Sequence, residues 1–208
     1  MPEPKSLRLP ACVAEREEML LVEPTVQELR DWAARMAIRR GAHVPSFDPA
    51  EGGDESRVLF VLEAPGPATN ALNVRAGSGF ISIDNNDGTA AEVWRARDAA
   101  GLHRGVLSWN IVPWYLGVAS RKPTKDELRE GAAELIEVLR ILPQVEVVIL
   151  GGLFARRGWA AHITGREPSQ VKVVETWHPS PLAMKQAGKR EQFHADFATV
   201  AGIVASNR

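Results

Sequence analysis

The sequence predicts a three-layer α/β/α domain built on a four-stranded parallel sheet. Two observations carry this: four short apolar runs that do not alternate with polar residues, and a helical pattern following each of them. Runs of this kind suit strands buried on both faces, which is how parallel sheets are covered. In order they are "RVLFVLE" (57–63), "GVLSWN" (105–110), "VEVVIL" (145–150) and "VKVVET" (171–176). An initial helix followed by four repeats of strand and helix reads as one domain spanning residues 1–208, of which the first 20 residues are the one segment that can be loose.

Three helices begin with a capping box, in which a threonine and a glutamate reciprocally satisfy free backbone N–H groups. These are "TVQE" at Thr25, "TAAE" at Thr89 and "TKDE" at Thr124. The first opens a helix that buries Leu29, Trp32 and Met36 and stops at Gly41; the second runs to Gly101. The third places Leu128, Leu135, Ile136 and Leu139 on one face and ends before Pro143. A final helix over about 188–205 turns Phe193, Phe197, Val200 and Val204 inward. The segments 45–56 and 73–88, rich in Gly, Asp and Asn, read as loops.

Composition narrows the function classes. Of the 208 residues, 45% are apolar and 25% charged, ordinary values for a soluble domain, and no apolar run approaches the ~20 residues of a membrane-spanning helix. The N-terminus lacks a signal-peptide layout, so a cytoplasmic location is expected, at the nucleoid if the cell is bacterial. The single cysteine, Cys12, excludes an internal disulfide and a four-cysteine metal or iron–sulfur site. A net charge of −1 does not advertise nucleic-acid binding, although local clusters such as Lys185/Lys189/Arg190 do occur.

Ligands of open α/β sheets bind beyond the carboxyl ends of the strands. Those ends carry Glu63-Ala64-Pro65-Gly66, then Asn110, then Gly151-Gly152, then His178-Pro179-Ser180-Pro181. A carboxylate, an amide, a flexible turn and an imidazole thus converge on one rim. Taken singly, Glu63 could cap a helix, Asn110 could bridge loops, the glycines could form a plain turn, and His178 could be structural. The prolines around Ser180 stiffen the turn behind His178, as preorganisation of a ring would require. No G-x-x-x-x-G-K-[ST] or G-x-G-x-x-G turn follows the first strand, which argues against a generic nucleotide-binding protein.

These residues resemble a known family. "HPSPLA" (178–183) is similar to the histidine motif "HPSPLS" of the uracil-DNA glycosylase superfamily. "LEAPG" (62–66) resembles "GEAPG" of its iron–sulfur branch, with Leu62 replacing the first glycine, and "SWNIVPW" with the segment to Gly152 resembles that branch as well. The likeness runs from about Leu29 to the C-terminus. It departs where that branch places cluster cysteines: those neighbourhoods here carry Met36, Trp114 and Ala132 or Ala133. The resemblance therefore implies a cluster-free member, with packing by Trp114 as the hypothesised substitute and a longer loop over 67–79.

The resemblance implies a monofunctional, monomeric enzyme that flips uracil from single- or double-stranded DNA and hydrolyses its glycosidic bond without metal or other cofactor. Glu63 and His178 would be catalytic: His178 donating to uracil O2, Glu63 orienting water and stabilising the cationic sugar. Ala64, Pro65, Gly66, Phe80 and Asn110 would contact the base, with Phe80 stacking on it and Asn110 reading O4 and N3–H. Gly151, Gly152, Pro179, Ser180, Pro181, Leu182 and Lys185 would face DNA, with Leu182 as the wedge and Ser180 and the glycine amides on phosphates. The alternatives are a glycosylase for deaminated purines or mismatched thymine, or a non-catalytic damaged-DNA-binding module.

Overall fold

The four apolar runs form the sheet. The computed structural model describes residues 3–70, 77–117 and 121–207. Its central strands are β2 (Val58–Leu62), β4 (Val106–Asn110), β5 (Val147–Gly151) and β6 (Lys172–Thr176), all parallel, in the order β4-β2-β5-β6. Register aligns Leu62 with Asn110 and Gly151 with Thr176, so all four strands end at one rim.

Alternation along these strands feeds two cores. Leu59, Val61, Leu107, Trp109, Val148 and Leu150 pack with α2 (Gln27–Arg40), α4 (Lys125–Ile141) and α5 (Leu153–His162). Val58, Phe60, Val106, Val147 and Ile149 pack on the other face with α3 (Gly88–Ala99) and α7 (Lys189–Ser206). This is the expected three-layer arrangement. Inward residues of α7 are Phe193, Phe197, Val200 and Val204, and α2 ends at Gly41 in the left-handed conformation.

Four expectations change. The first 20 residues are not loose where described: α1 (Pro10–Val22) buries Arg16, whose guanidinium pairs with Asp48 at 3.0 Å and Asp84 at 3.1 Å. The segments read as loops contain two-residue strands, β1 (Ser46–Phe47) and β3 (Phe80–Ile81), paired in parallel; residues 73–76 of the second lie outside the described set. Only Thr124 closes its capping box. Thr25 sits inside a 3-10 turn whose cap is Glu23, and α3 is capped by Asp87, which takes the amides of Thr89 and Ala90. Glu92 is drawn instead to Arg95, Arg190 and His194.

Among the described residues no helix is long and apolar enough to cross a membrane.

Candidate active site

Phe60 and Leu62 on β2 and Ser108 and Asn110 on β4 point to the same sheet face, because residues two apart share a side. With α3 above them they floor a cavity of about 270 Å³, room for about nine waters at ~30 Å³ each. Ala64, Pro65 and Gly66 form its rim beyond β2, and His178 closes it beyond β6. Thus five residues expected to meet substrate, Ala64, Pro65, Gly66, Asn110 and His178, converge on one volume. Asn110 is 3% exposed, and its amide has no hydrogen-bond partner among the described residues.

Local geometry fixes His178. The Ser180 amide donates to its Nδ1 at 3.1 Å, so in the neutral ring Nε2 carries the proton. Burial, then the positive charge of Lys122, lowers its pKa from 6.5 to about 4, and the ring is neutral near pH 7. Behind it lies Gly152, at φ 90° and ψ −180°; a Cβ there would come 2.7 Å from the Cβ of His178. A Cβ on Gly151 would sit 2.6 Å from Leu62 Cδ2 and 3.0 Å from the Phe60 ring, so those side chains would have to shift. The proline turn is held from the other side: a Cβ on Gly88 at the start of α3 would meet Pro181 Cγ at 2.5 Å. Only glycine lets the sheet end, the α3 cap and the histidine turn approach this closely.

Residues 49–199 match the family model described as UDG, Uracil DNA glycosylase superfamily. The chain belongs to that superfamily. Among solved structures it is similar to a mimivirus uracil-DNA glycosylase, at 10% identity, covering 89% of this chain and 79% of that one with TM-score 0.46. A variant of mimivirus UNG in complex with UGI is similar at 10% identity, covering 81% and 74%, with TM-score 0.43. No curated protein sequence matches.

Several positions differ from what the uracil-DNA glycosylase resemblance implied. Phe80 does not line the cavity; it is 2% exposed, and its backbone is held by the side chains of Ser78 and Asn85. Its neighbours Ile81, Ser82 and Ile83 supply that wall. Glu63 also does not contribute to the wall: both its oxygens are held by Lys122 at 3.0 and 3.1 Å. Lys122 carried no signal in the sequence beyond being one of a basic cluster.

The phosphate donors are redistributed as well. The amide of Gly152 donates to Thr176 O, and that of Ser180 to His178. The Ser180 hydroxyl caps α6 (Pro181–Met184) through the Ala183 amide. Ser180 therefore holds the histidine turn through its amide and its hydroxyl oxygen, while its hydroxyl proton stays available to donate. Pro179 is buried within that turn. Leu182 is 78% exposed at the start of α6, and Lys185 is exposed with no partner among the described residues. Lys189 instead covers the Trp177 ring at 3.9 Å, and Arg190 pairs with Glu92.

The iron–sulfur branch places its cluster cysteines in the neighbourhoods of Met36, Trp114 and Ala132 or Ala133. Met36, Trp114 and Ala133 do meet, around a cavity of about 290 Å³ that Arg39, Arg40, Glu130 and Glu134 complete. Arg40 lies 4.2 Å from the Trp114 ring centre and pairs with Glu130. These residues offer no thiolate, and Cys12 lies on α1, so the donor set does not fit a cluster.

Proposed function

We propose that the protein is a DNA glycosylase that flips uracil out of DNA and hydrolyses its N-glycosidic bond, leaving an abasic site. The observation that carries this reading is the fixed tautomer of His178: a neutral imidazole whose Nε2–H is left to donate at a cavity that also holds the unpaired amide of Asn110. Such a donor suits charge that develops on the leaving base.

In this reading Asn110 reads O4 and N3–H, and the apolar side chains of Ile81 and Ile83 face the ring where Phe80 was expected. The bond between C1′ and the base nitrogen breaks with its electron pair leaving on the base. His178 donates a hydrogen bond to O2 as negative charge gathers there. Glu63 stabilises the oxocarbenium-like sugar and orients the water that adds to C1′, accepting the proton that water loses, while the departed base anion takes up a proton from solvent. A DNA phosphate, competing for the exposed ammonium of Lys122, releases Glu63 for that task. Leu182 enters the gap left in the stack, and Lys185 faces the backbone. The protein acts as a monomer in the cytoplasm, on single- or double-stranded uracil-containing DNA.

One observation favours a wider base range. Gly66 lines the cavity, and a Cβ built on it meets nothing within 4 Å, so no side chain there restricts a methyl group or a second ring. Mismatched thymine and deaminated purines therefore belong in the same assay. Oligonucleotides with U, T, hypoxanthine or xanthine, single- and double-stranded, are incubated with wild type, His178→Ala and Glu63→Gln. Uracil release by wild type, with each variant slower by about 10²–10⁴ at unchanged folding, is expected. Absence of base release from every substrate by wild type refutes the reading.

A further inference from the structure

The polar groups beneath the cavity are ordered in a way the histidine and asparagine do not explain. Ser108 lines the cavity two residues before Asn110, on the same face of β4. Its amide donates to Glu51 Oε2 at 2.5 Å and its hydroxyl to Glu51 Oε1 at 3.1 Å. Arg97, 2% exposed, donates to the same Oε1 at 2.9 Å. Every group bonded to Glu51 is a donor, so the carboxylate is the acceptor throughout, and the Ser108 proton points away from the cavity. Ser82, also on the wall, repeats the pattern: its hydroxyl donates to Asp48 Oδ2 at 2.5 Å, and Asp48 is paired with Arg16.

We infer that Ser108, turned by the Glu51–Arg97 pair, is a specificity-determining residue: it sets a second acceptor beside the Asn110 oxygen that meets the ring N–H, and so disfavours bases whose ring nitrogen there carries a lone pair. This rests on the glycosylase reading and names its substrate class: lactam bases such as uracil and hypoxanthine, the products of deamination. Their amino-bearing parents, cytosine and adenine, have a bare nitrogen at the corresponding ring position. A lone pair set against the Ser108 lone pairs leaves two buried acceptors without a proton between them. No hydrogen bond among the described residues fixes the Asn110 amide, so a half-turn of it suits either base. Ser108 cannot turn while Glu51 is ionised.

The same geometry says how to reverse it. In Glu51→Gln one acceptor becomes an NH₂ group. One oxygen cannot then accept from the Ser108 amide, the Ser108 hydroxyl and Arg97 together, so the Ser108 proton loses its fixed acceptor and can turn into the cavity. Protonation of Glu51 does the same. Burial raises its pKa to about 7, with Asp48 adding to the rise and Arg97 and the two Ser108 bonds opposing it. Arg16, Asp84, His103 and Arg104 share the cavity of about 280 Å³ behind it.

The test is binding of the full-length protein to oligonucleotides carrying uracil, cytosine, hypoxanthine or adenine on a 2′-fluoro sugar, where the fluorine suppresses oxocarbenium formation. Wild type is expected to prefer the lactam member of at least one pair. Ser108→Ala should lower that preference about five- to hundredfold, and Glu51→Gln further still. The wild-type preference should also weaken as pH falls through about 7, while that of Ser108→Ala stays flat. An unchanged preference in folded Ser108→Ala overturns the assignment, whether or not Glu51→Gln folds. Failure of wild type to bind any probe overturns the glycosylase reading itself, and this assignment with it.

Discussion

Gly152→Ala should disable the site with little change elsewhere. At φ 90° and ψ −180° the residue occupies a region that costs an L side chain about 1–3 kcal/mol. The new methyl would also lie 2.7 Å from His178 Cβ, against the ~3.5–4.0 Å of a relaxed carbon contact. One of the two must therefore yield by roughly 1 Å. The Gly152 amide is tied to Thr176 O and the strand end to β6, so the histidine turn is the part that moves. A displacement of that size costs about a hundredfold in a positioned reaction. The expected outcome is a melting temperature lower by roughly 2–12 °C and single-turnover uracil excision lower by about 10². Gly66→Ala is the control for folding, because its Cβ meets nothing within 4 Å. Wild-type melting and wild-type excision in Gly152→Ala would refute the claim that the β5–α5 turn seats His178.

Two more outcomes follow from groups at the rim. Leu182→Ala should leave melting unchanged, since the side chain is 78% exposed, yet slow excision from duplex about ten- to hundredfold more than from single strands, where no stack must be held open. Equal slowing on both substrates excludes the wedge. His178 binds a proton near pH 6.5 in the unfolded chain but only near 4 when folded, so stability falls as pH drops across that window, by about 3 kcal/mol for this group. His178→Gln removes that part of the slope, and an NMR titration of the ring midpoint above 6 would contradict the buried, neutral imidazole.

The strands were legible because each is a short, mainly apolar run, and their observed ends fall within a residue or two of the expected ones; β2, β4 and β5 are buried as expected, whereas β6, at the edge of the sheet, leaves Lys172, Val173 and Glu175 exposed. Since function gathers at strand ends, locating these runs also located Asn110, Gly151, Gly152 and the approach to His178. Sheet order was not legible: nothing in "VEVVIL" says that it lies beside 58–62 rather than at an edge. The capping boxes at Thr25 and Thr89 failed for a physical reason. Asp87, two residues upstream, is an ionisable cap facing two free amides, and Glu92 finds Arg95 on its own helix and Arg190 and His194 on α7, far away in sequence. The Ser108–Glu51–Arg97 set was invisible for the same cause, because Glu51 lies 46 residues from Arg97 and 57 from Ser108 and no local periodicity links them.

This difference between local and distant partners bears on how the site divides its labour. Groups that touch the reacting atoms come from short motifs, because one turn must hold several of them in register: Ser180 fixes the tautomer of His178 from two residues away. Groups that set what enters the cavity come from partners joined only by the fold. Buried Glu51 holds the Ser108 hydroxyl across 57 residues. The first kind constrains the reaction and tolerates little change. The second can be altered one ion pair at a time while the histidine turn stays intact, so in the proposed glycosylase the base that is accepted can change apart from the residues that act on the bond.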